Sequence, residues 1–304
     1  MNDTEITKIA SQLRILTLKG LSKLTHVWEK KKNGVLVFPN LQQVIVSNCK
    51  KLETLFPASL AKNFKSLKGI EIEDCAKFQE IVEKEESTEA KFVLPCLERL
   101  ILSSLPQLSC FYPQTFTLEC PTLNILSVLR CEGLELFQSQ HSMGEGISVK
   151  RQPLISRLED ISNLRELKLD WKHILALRSR LRSEKFTGVF KLVNKMSLLL
   201  DGDVSEMLIM VNEILHRAPN LIEMVIHILN CKNSEIFFAQ NPKIGEDGML
   251  LQLRILTLFQ VAAIRSIQSE NSSCGFGGER CALTKLVASV VEERKVLVSG
   301  NRAE

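Results

Sequence analysis

Cysteine and histidine are the residue types in this chain that could carry chemistry, as metal ligands, nucleophiles or redox pairs. There are nine cysteines and five histidines. Their spacing assembles no familiar site: C-x-x-C, H-E-x-x-H and G-x-S-x-G are all absent. His26, His141, His173, His216 and His227 lie far apart, without ligand spacing. Gly275-Phe276-Gly277-Gly278 lacks the lysine and the strand-to-helix setting of a phosphate-binding loop. Three cysteines are more regular. Cys49, Cys75 and Cys131 each fall eight residues after a leucine, namely Leu41, Leu67 and Leu123. Such a column is either a metal or redox site or a packing position for a small apolar side chain with a weak donor. Leu21 and Leu105 take the same place after Leu13 and Leu97, so nothing there requires sulfur. The sequence therefore predicts no catalytic residue, no metal and no cofactor.

The elements that position these thiols are repeats. The heptapeptide QLRILTL occurs at 12–18 and again at 252–258. Aligning the chain on L-x-x-L-x-L gives nine copies, beginning at Leu13, Leu41, Leu67, Leu97, Leu123, Leu164, Val193, Leu221 and Leu253. Successive starts are 28, 26, 30, 26, 41, 29, 28 and 32 residues apart. Apart from the 41, the mean spacing is about 28 residues, with single steps inside or just above the leucine-rich repeat range of roughly 20–29. Alternate residues of a short strand face one side, so the last two apolar positions of each motif enter a core. One strand cannot bury that face alone, and stacked strands can. The expected fold is an α/β leucine-rich repeat solenoid. It has a curved, parallel concave sheet of about nine strands and an irregular, short-helical convex side. Residues 57–64 read as a short helix led by Pro57, and 203–217 as a longer one.

The expected organisation is a lead-in at 1–12, repeats one to five at 13–138, a polar loop or hinge at 139–162, repeats six to nine at 163–268 and a divergent tail at 269–304. Within that tail Leu283, Leu286, Val287, Val290 and Val291 have helical spacing and suggest a capping helix. An acidic loop is expected over 83–91. Twelve residues before the first motif are few for a cap, so the array is expected to continue in a longer protein. Hydrophobic residues are 45% and charged residues 24%, which excludes a disordered chain. A net charge of +4 is too small to argue for nucleic acid. No apolar run is long enough for a membrane span, and the N-terminus does not read as a secretory signal. Reduced thiols and a cytoplasmic location are the expectation.

Protein binding is then the remaining role, and the outward residues of the strands are its candidates. Ile45, Glu71, Glu73, Ile101, Ser103 and Leu129 lie on four adjacent repeats and combine apolar anchors with acids. That mixture suits a protein partner that carries basic residues better than it suits phosphate.

Phe38-Pro39-Asn40-Leu41, followed by Val44, Val46, Cys49, Leu52 and Leu55-Phe56, resembles a repeat unit of the plant disease-resistance proteins. These are intracellular receptors with a coiled coil, a nucleotide-binding domain and C-terminal leucine-rich repeats. Leu67, Ile70, Ile72, Cys75 and Glu80-Ile81-Val82 resemble their next unit, and the 100–111 segment LILSSLPQLSCF a third. The resemblance runs from about Leu13 to Ile267. It implies a recognition and regulatory domain of an innate immune receptor, sensing a pathogen effector or a modified host protein. In a full-length receptor it would also restrain the receptor's own nucleotide-binding domain. The coiled coil and the nucleotide-binding domain are not in this sequence. A different class, the substrate adaptor of an F-box ubiquitin ligase, also uses cysteine-containing repeats of similar length.

Overall fold

A computed structural model describes residues 12–28, 38–83, 90–113, 116–136, 153–155, 161–181, 192–201, 210–211, 213–214, 218, 220–229, 255–259 and 285–289. Ten strands form one parallel sheet: β1 (Ile15–Lys19), β2 (Gln43–Ser47), β4 (Gly69–Glu73), β7 (Arg99–Ser103), β9 (Ile125–Leu129), β10 (Glu166–Asp170), β11 (Lys195–Asp201), β12 (Glu223–Leu229), β13 (Ile255–Phe259) and β14 (Lys285–Ser289). The order along the sheet is the order along the chain, as stacking repeats demand. The architecture is a leucine-rich repeat type of solenoid.

Its register is the one the motif predicts. Leu16 pairs with Val44, Val44 with Ile70, Ile70 with Leu100 and Leu100 with Leu126. The series continues through Leu167, Met196 and Met224 to Leu256. In this sheet both inward motif residues of each strand from β2 to β12 are at most 2% exposed. In β1, Leu16 and Leu18 are only half-buried, because no described strand covers their outer side. Each step begins with a shared acceptor. The carbonyl of Gln42 takes the N–H groups of Lys68 and Gly69, at 2.7 and 3.0 Å, and that of Lys68 takes those of Glu98 and Arg99, at 2.8 and 3.0 Å.

Behind the long sheet are two small parallel ones. The first pairs β3 (Thr54–Pro57) with β5 (Glu80–Glu83), and the second β6 (Ala90–Val93) with β8 (Phe116–Glu119). Leu55 and Phe56 of β3 are both buried, as are Ile81 and Val82 of β5, so these strands bury consecutive residues rather than alternate ones. Aromatic rings pack behind them. Phe56 meets Phe64 edge-on at 4.7 Å, and Phe92 meets Phe111 and Tyr112 at 5.4 Å each. Gly133 admits the close approach of two turns: a Cβ there would lie 2.5 Å from the Leu108 carbonyl oxygen.

Helices are few. One turn, α1 (Ala58–Ala61), follows Pro57, close to the expected short helix. A longer helix, α2 (Trp171–Leu181), leaves the end of β10 directly. Of the helix expected over 203–217, Met210, Val211, Glu213 and Ile214 are helical, and the rest lies outside the described residues.

Among the described residues the sheet has ten strands, in line with the expected count of about nine. Two expectations need correction. The tail segment with helical spacing holds β14 rather than a capping helix, and Leu286 and Ala288 stand in register with Leu256 and Leu258. A short run such as Leu-Val-Ala-Ser-Val-Val fits both periods, and the open edge of β13 supplies backbone partners to a strand. The acidic loop is shorter than expected, since Glu83 closes β5 and Ala90-Lys91 open β6; 84–89 lie outside the described residues. Within 139–162, Leu154 and Ile155 are buried and donate N–H groups to the Glu135 and Leu136 carbonyls, both at 2.9 Å. Among the described residues no helix is long and apolar enough to cross a membrane.

Truncating Leu126, which has both flanking strands, should cost about 2–5 kcal/mol. Leu16→Ala at the half-covered end should cost clearly less. Denaturant unfolding of the two variants measures the difference, and equal losses would contradict the account of the sheet's end.

Candidate recognition surface

The strands place their outward residues in straight columns. Thr17, Ile45, Glu71, Ile101 and Ser127 are successive register partners, and so are Lys19, Ser47, Glu73, Ser103 and Leu129. The six candidate residues therefore fall on β2, β4, β7 and β9, at strand steps of about 4.8 Å. The structure brings them into one patch. Glu73 is exposed, and the other five are half-buried. Ser127, outward by pattern, is 3% exposed: a small side chain whose register partners are Ile101 and Lys168.

One residue of this patch does not stand alone. The Arg99 guanidinium lies 3.5 Å from the Glu71 carboxylate. Arg99 is the register partner of Gly69, and a Cβ at Gly69 would sit 3.6 Å from the Arg99 Nη2. The missing side chain thus leaves the arginine room to lie across β4. Sequence reasoning missed Arg99 because it followed two outward columns and passed over a third, which begins at Ile15 and includes Gln43, Gly69, Arg99, Ile125 and Glu166. Strand alternation alone would have found that column.

Farther along, the outward face pairs with itself. Lys168 reaches Glu166 at 3.0 Å, and Lys195 reaches Glu223 at 3.3 Å. His227, on the same face, has its pKa held below the ordinary value by burial and then by the Lys168 charge. Both parts of the sheet thus carry an outward ion pair and outward apolar residues: Leu199 and Val225 in β11 and β12, and Ile45, Ile101, Ile125 and Leu129 in β2 to β9. The earlier part adds the exposed acid Glu73.

At the C-terminal ends of the strands the chain turns through left-handed residues. Asn48, Asp74, Ser104 and Arg130 have φ of 54°, 53°, 53° and 53°. An open groove of about 680 Å³ runs over these turns, with Lys50, Asp74, Ser104 and Arg130 along it and Trp171 at its far end.

The cysteine column is structural. Cys75 Sγ donates to the Glu73 carbonyl at 3.3 Å, and Cys131 Sγ to the Leu129 carbonyl at 3.4 Å. Cys49 Sγ stands 3.6 Å from the equivalent Ser47 carbonyl. Burial pushes the Cys75 thiol up to about 11 and the Cys131 thiol to about 12, against the opposing pull of backbone hydrogen bonds. Since the thiolate is the nucleophile and the metal ligand, neither group is armed at neutral pH.

Residues 1–76 match the family model for plant disease resistance protein RPS2-like leucine-rich repeats. Comparisons with curated proteins and with solved structures returned no match. The N-terminal repeats are thus similar to those of a plant disease-resistance protein, in a segment that includes Ile45, Glu71 and Glu73.

The thiol geometry carries a direct expectation. With iodoacetamide at pH 8, peptide mapping of the folded chain should show Cys96, which is partly exposed, modified well before Cys75 and Cys131. Rapid labelling of Cys75 in the native protein would show that the column is reactive after all.

Proposed function

We propose that this chain is the recognition and regulatory repeat domain of a plant disease-resistance receptor acting in the cytoplasm. In this reading it senses a pathogen effector or a modified host protein and performs no catalysis itself. Within the full-length receptor, which carries a coiled coil and a nucleotide-binding domain, it also contacts the nucleotide-binding domain to hold it inactive. The observation that carries the reading is the registered outward patch of β2 to β9, which lies partly within the segment similar to disease-resistance repeats. That similarity favours an immune receptor over an F-box adaptor.

The patch is suited to a protein partner on physical grounds. Its inward neighbours are committed to the core, whereas Ile45, Ile101 and Leu129 offer apolar area without that duty. Glu73 adds an unburied charge that would steer a basic partner and set its orientation. Glu71 contributes differently, because Arg99 already answers its charge, and a partner there meets an ion pair rather than a bare acid.

Charge reversal separates the two acids. In the full-length receptor Glu73→Lys should weaken the response to the effector, with stability kept within about 0.5 kcal/mol. Glu71→Lys, which also sets a lysine beside Arg99, should weaken it too and additionally lower the unfolding midpoint. An intact fold with response and partner binding unchanged in the double variant would place recognition on another surface.

A further inference from the structure

Asp170 and His173 belong neither to the patch nor to the cysteine column, and they sit where the repeat array changes its habit. In the first four repeats the residue after each strand donates its N–H to the last carbonyl of the next strand. Gly20 donates to Ser47 at 2.9 Å, Asn48 to Glu73 at 3.0 Å, Asp74 to Ser103 at 3.1 Å and Ser104 to Leu129 at 2.9 Å. The fifth step differs. Arg130 donates its N–H to the Oδ2 of Asp170, at 2.7 Å, because β10 runs straight into α2 with no turn between. A side-chain carboxylate has taken over the place of a backbone carbonyl.

The other oxygen of Asp170 serves α2. It accepts the backbone N–H of His173 at 3.2 Å, as a helix N-cap does, and lies 2.6 Å from the Nδ1 of the same residue. The His173 ring is 2% exposed, and its Nε2 faces the carbonyl oxygen of Leu134 at 3.2 Å. Both ring nitrogens therefore meet acceptors. A neutral imidazole owns one N–H, so one of these contacts would set a lone pair against an oxygen, in a site too buried for water to relieve it.

We propose that the folded protein holds His173 as the imidazolium, donating through Nδ1 to Asp170 and through Nε2 to Leu134, so that a bound proton clasps the turn after β9 to the start of α2. The surroundings fit this assignment. The hydrogen-bonded anion is Asp170, from the end of β10. The turn after β9 contributes the Leu134 carbonyl, the Cys131 thiol, and Arg130 and Glu132 at the adjoining groove; α2 contributes Lys172, and β11 the apolar Leu199. Burial by itself would raise the Asp170 pKa, but hydrogen bonds and charge from His173, with the Arg130 N–H, outweigh it and hold the carboxyl below its ordinary value. Its contribution to stability is therefore present above the ordinary carboxylate range and fades as pH falls through the lowered value. Trp171, between the two residues of the clasp, lines the end of the groove, so the proton also sets that wall.

The test is nitrogen-15 spectroscopy of the full chain labelled at histidine. His26→Gln, His141→Gln, His216→Gln and His227→Gln identify the His173 signals by elimination, without touching the clasp. At pH 7 both His173 ring nitrogens should carry protons. His173→Phe, which removes both ring donors, should change Trp171 emission, read in a Trp28→Phe background. A ring protonated on a single nitrogen at pH 7 would overturn the imidazolium, and Trp171 emission unchanged in the His173→Phe variant would overturn the clasp's hold on the groove.

Discussion

Two inward apolar side chains per repeat must be covered by the strand on either side, and that constraint governs the rest of the molecule. Val44 and Val46 are sealed only because β1 and β4 lie beside β2 in matching register. A slip of one residue would turn the leucines to solvent and the glutamates to the core. The register that buries the core therefore also fixes the outward columns. The outward patch needs no device of its own, since it is the reverse side of the hydrophobic ladder. The cysteines obey the same rule one step later, where each thiol closes onto the carbonyl two residues before it at the strand's end.

The junction after β9 shows how such an array tolerates interruption. The chain between β9 and β10 is long, and β10 is followed by a helix instead of a left-handed turn. Even so, Leu126 to Leu167 keeps the register of the earlier steps. Two polar contacts make up for the missing turn. The Asp170 carboxylate replaces the carbonyl that the ladder would have offered, and His173 ties the new helix back to Leu134. Backbone geometry carries the first four repeats, whereas this step relies on side-chain chemistry.

Much of this was legible in the sequence. Nine strands, their register and the membership of the patch follow from apolar residues two apart recurring at near-constant spacing. What stayed hidden depends on facts that a linear pattern does not hold. Leu286 and Val287 satisfy helical and extended periods alike, and the neighbouring edge decides between them. The small sheets escaped because Leu55-Phe56 and Ile81-Val82 bury adjacent residues and so lack the alternation that marks a half-buried strand. The outward place of Arg99 was legible from alternation, but its reach to Glu71 was not, because that depends on the absent side chain at Gly69, one strand away. The partner of His173 escaped because Leu134 is remote in sequence and offers only a backbone oxygen, which no residue type announces.

The central claim is that the outward columns are continuous across the first five strands. Lys19, Ser47, Glu73, Ser103 and Leu129 must then stand in one line. Electron-spin distance measurement between labels introduced as unnatural amino acids at Lys19 and Leu129 tests this most directly. Four strand steps predict a narrow distribution centred on a backbone separation of about 19 Å, adjusted for label length. A broad distribution, or a separation beyond about 30 Å, would contradict continuous stacking and with it the proposed recognition patch.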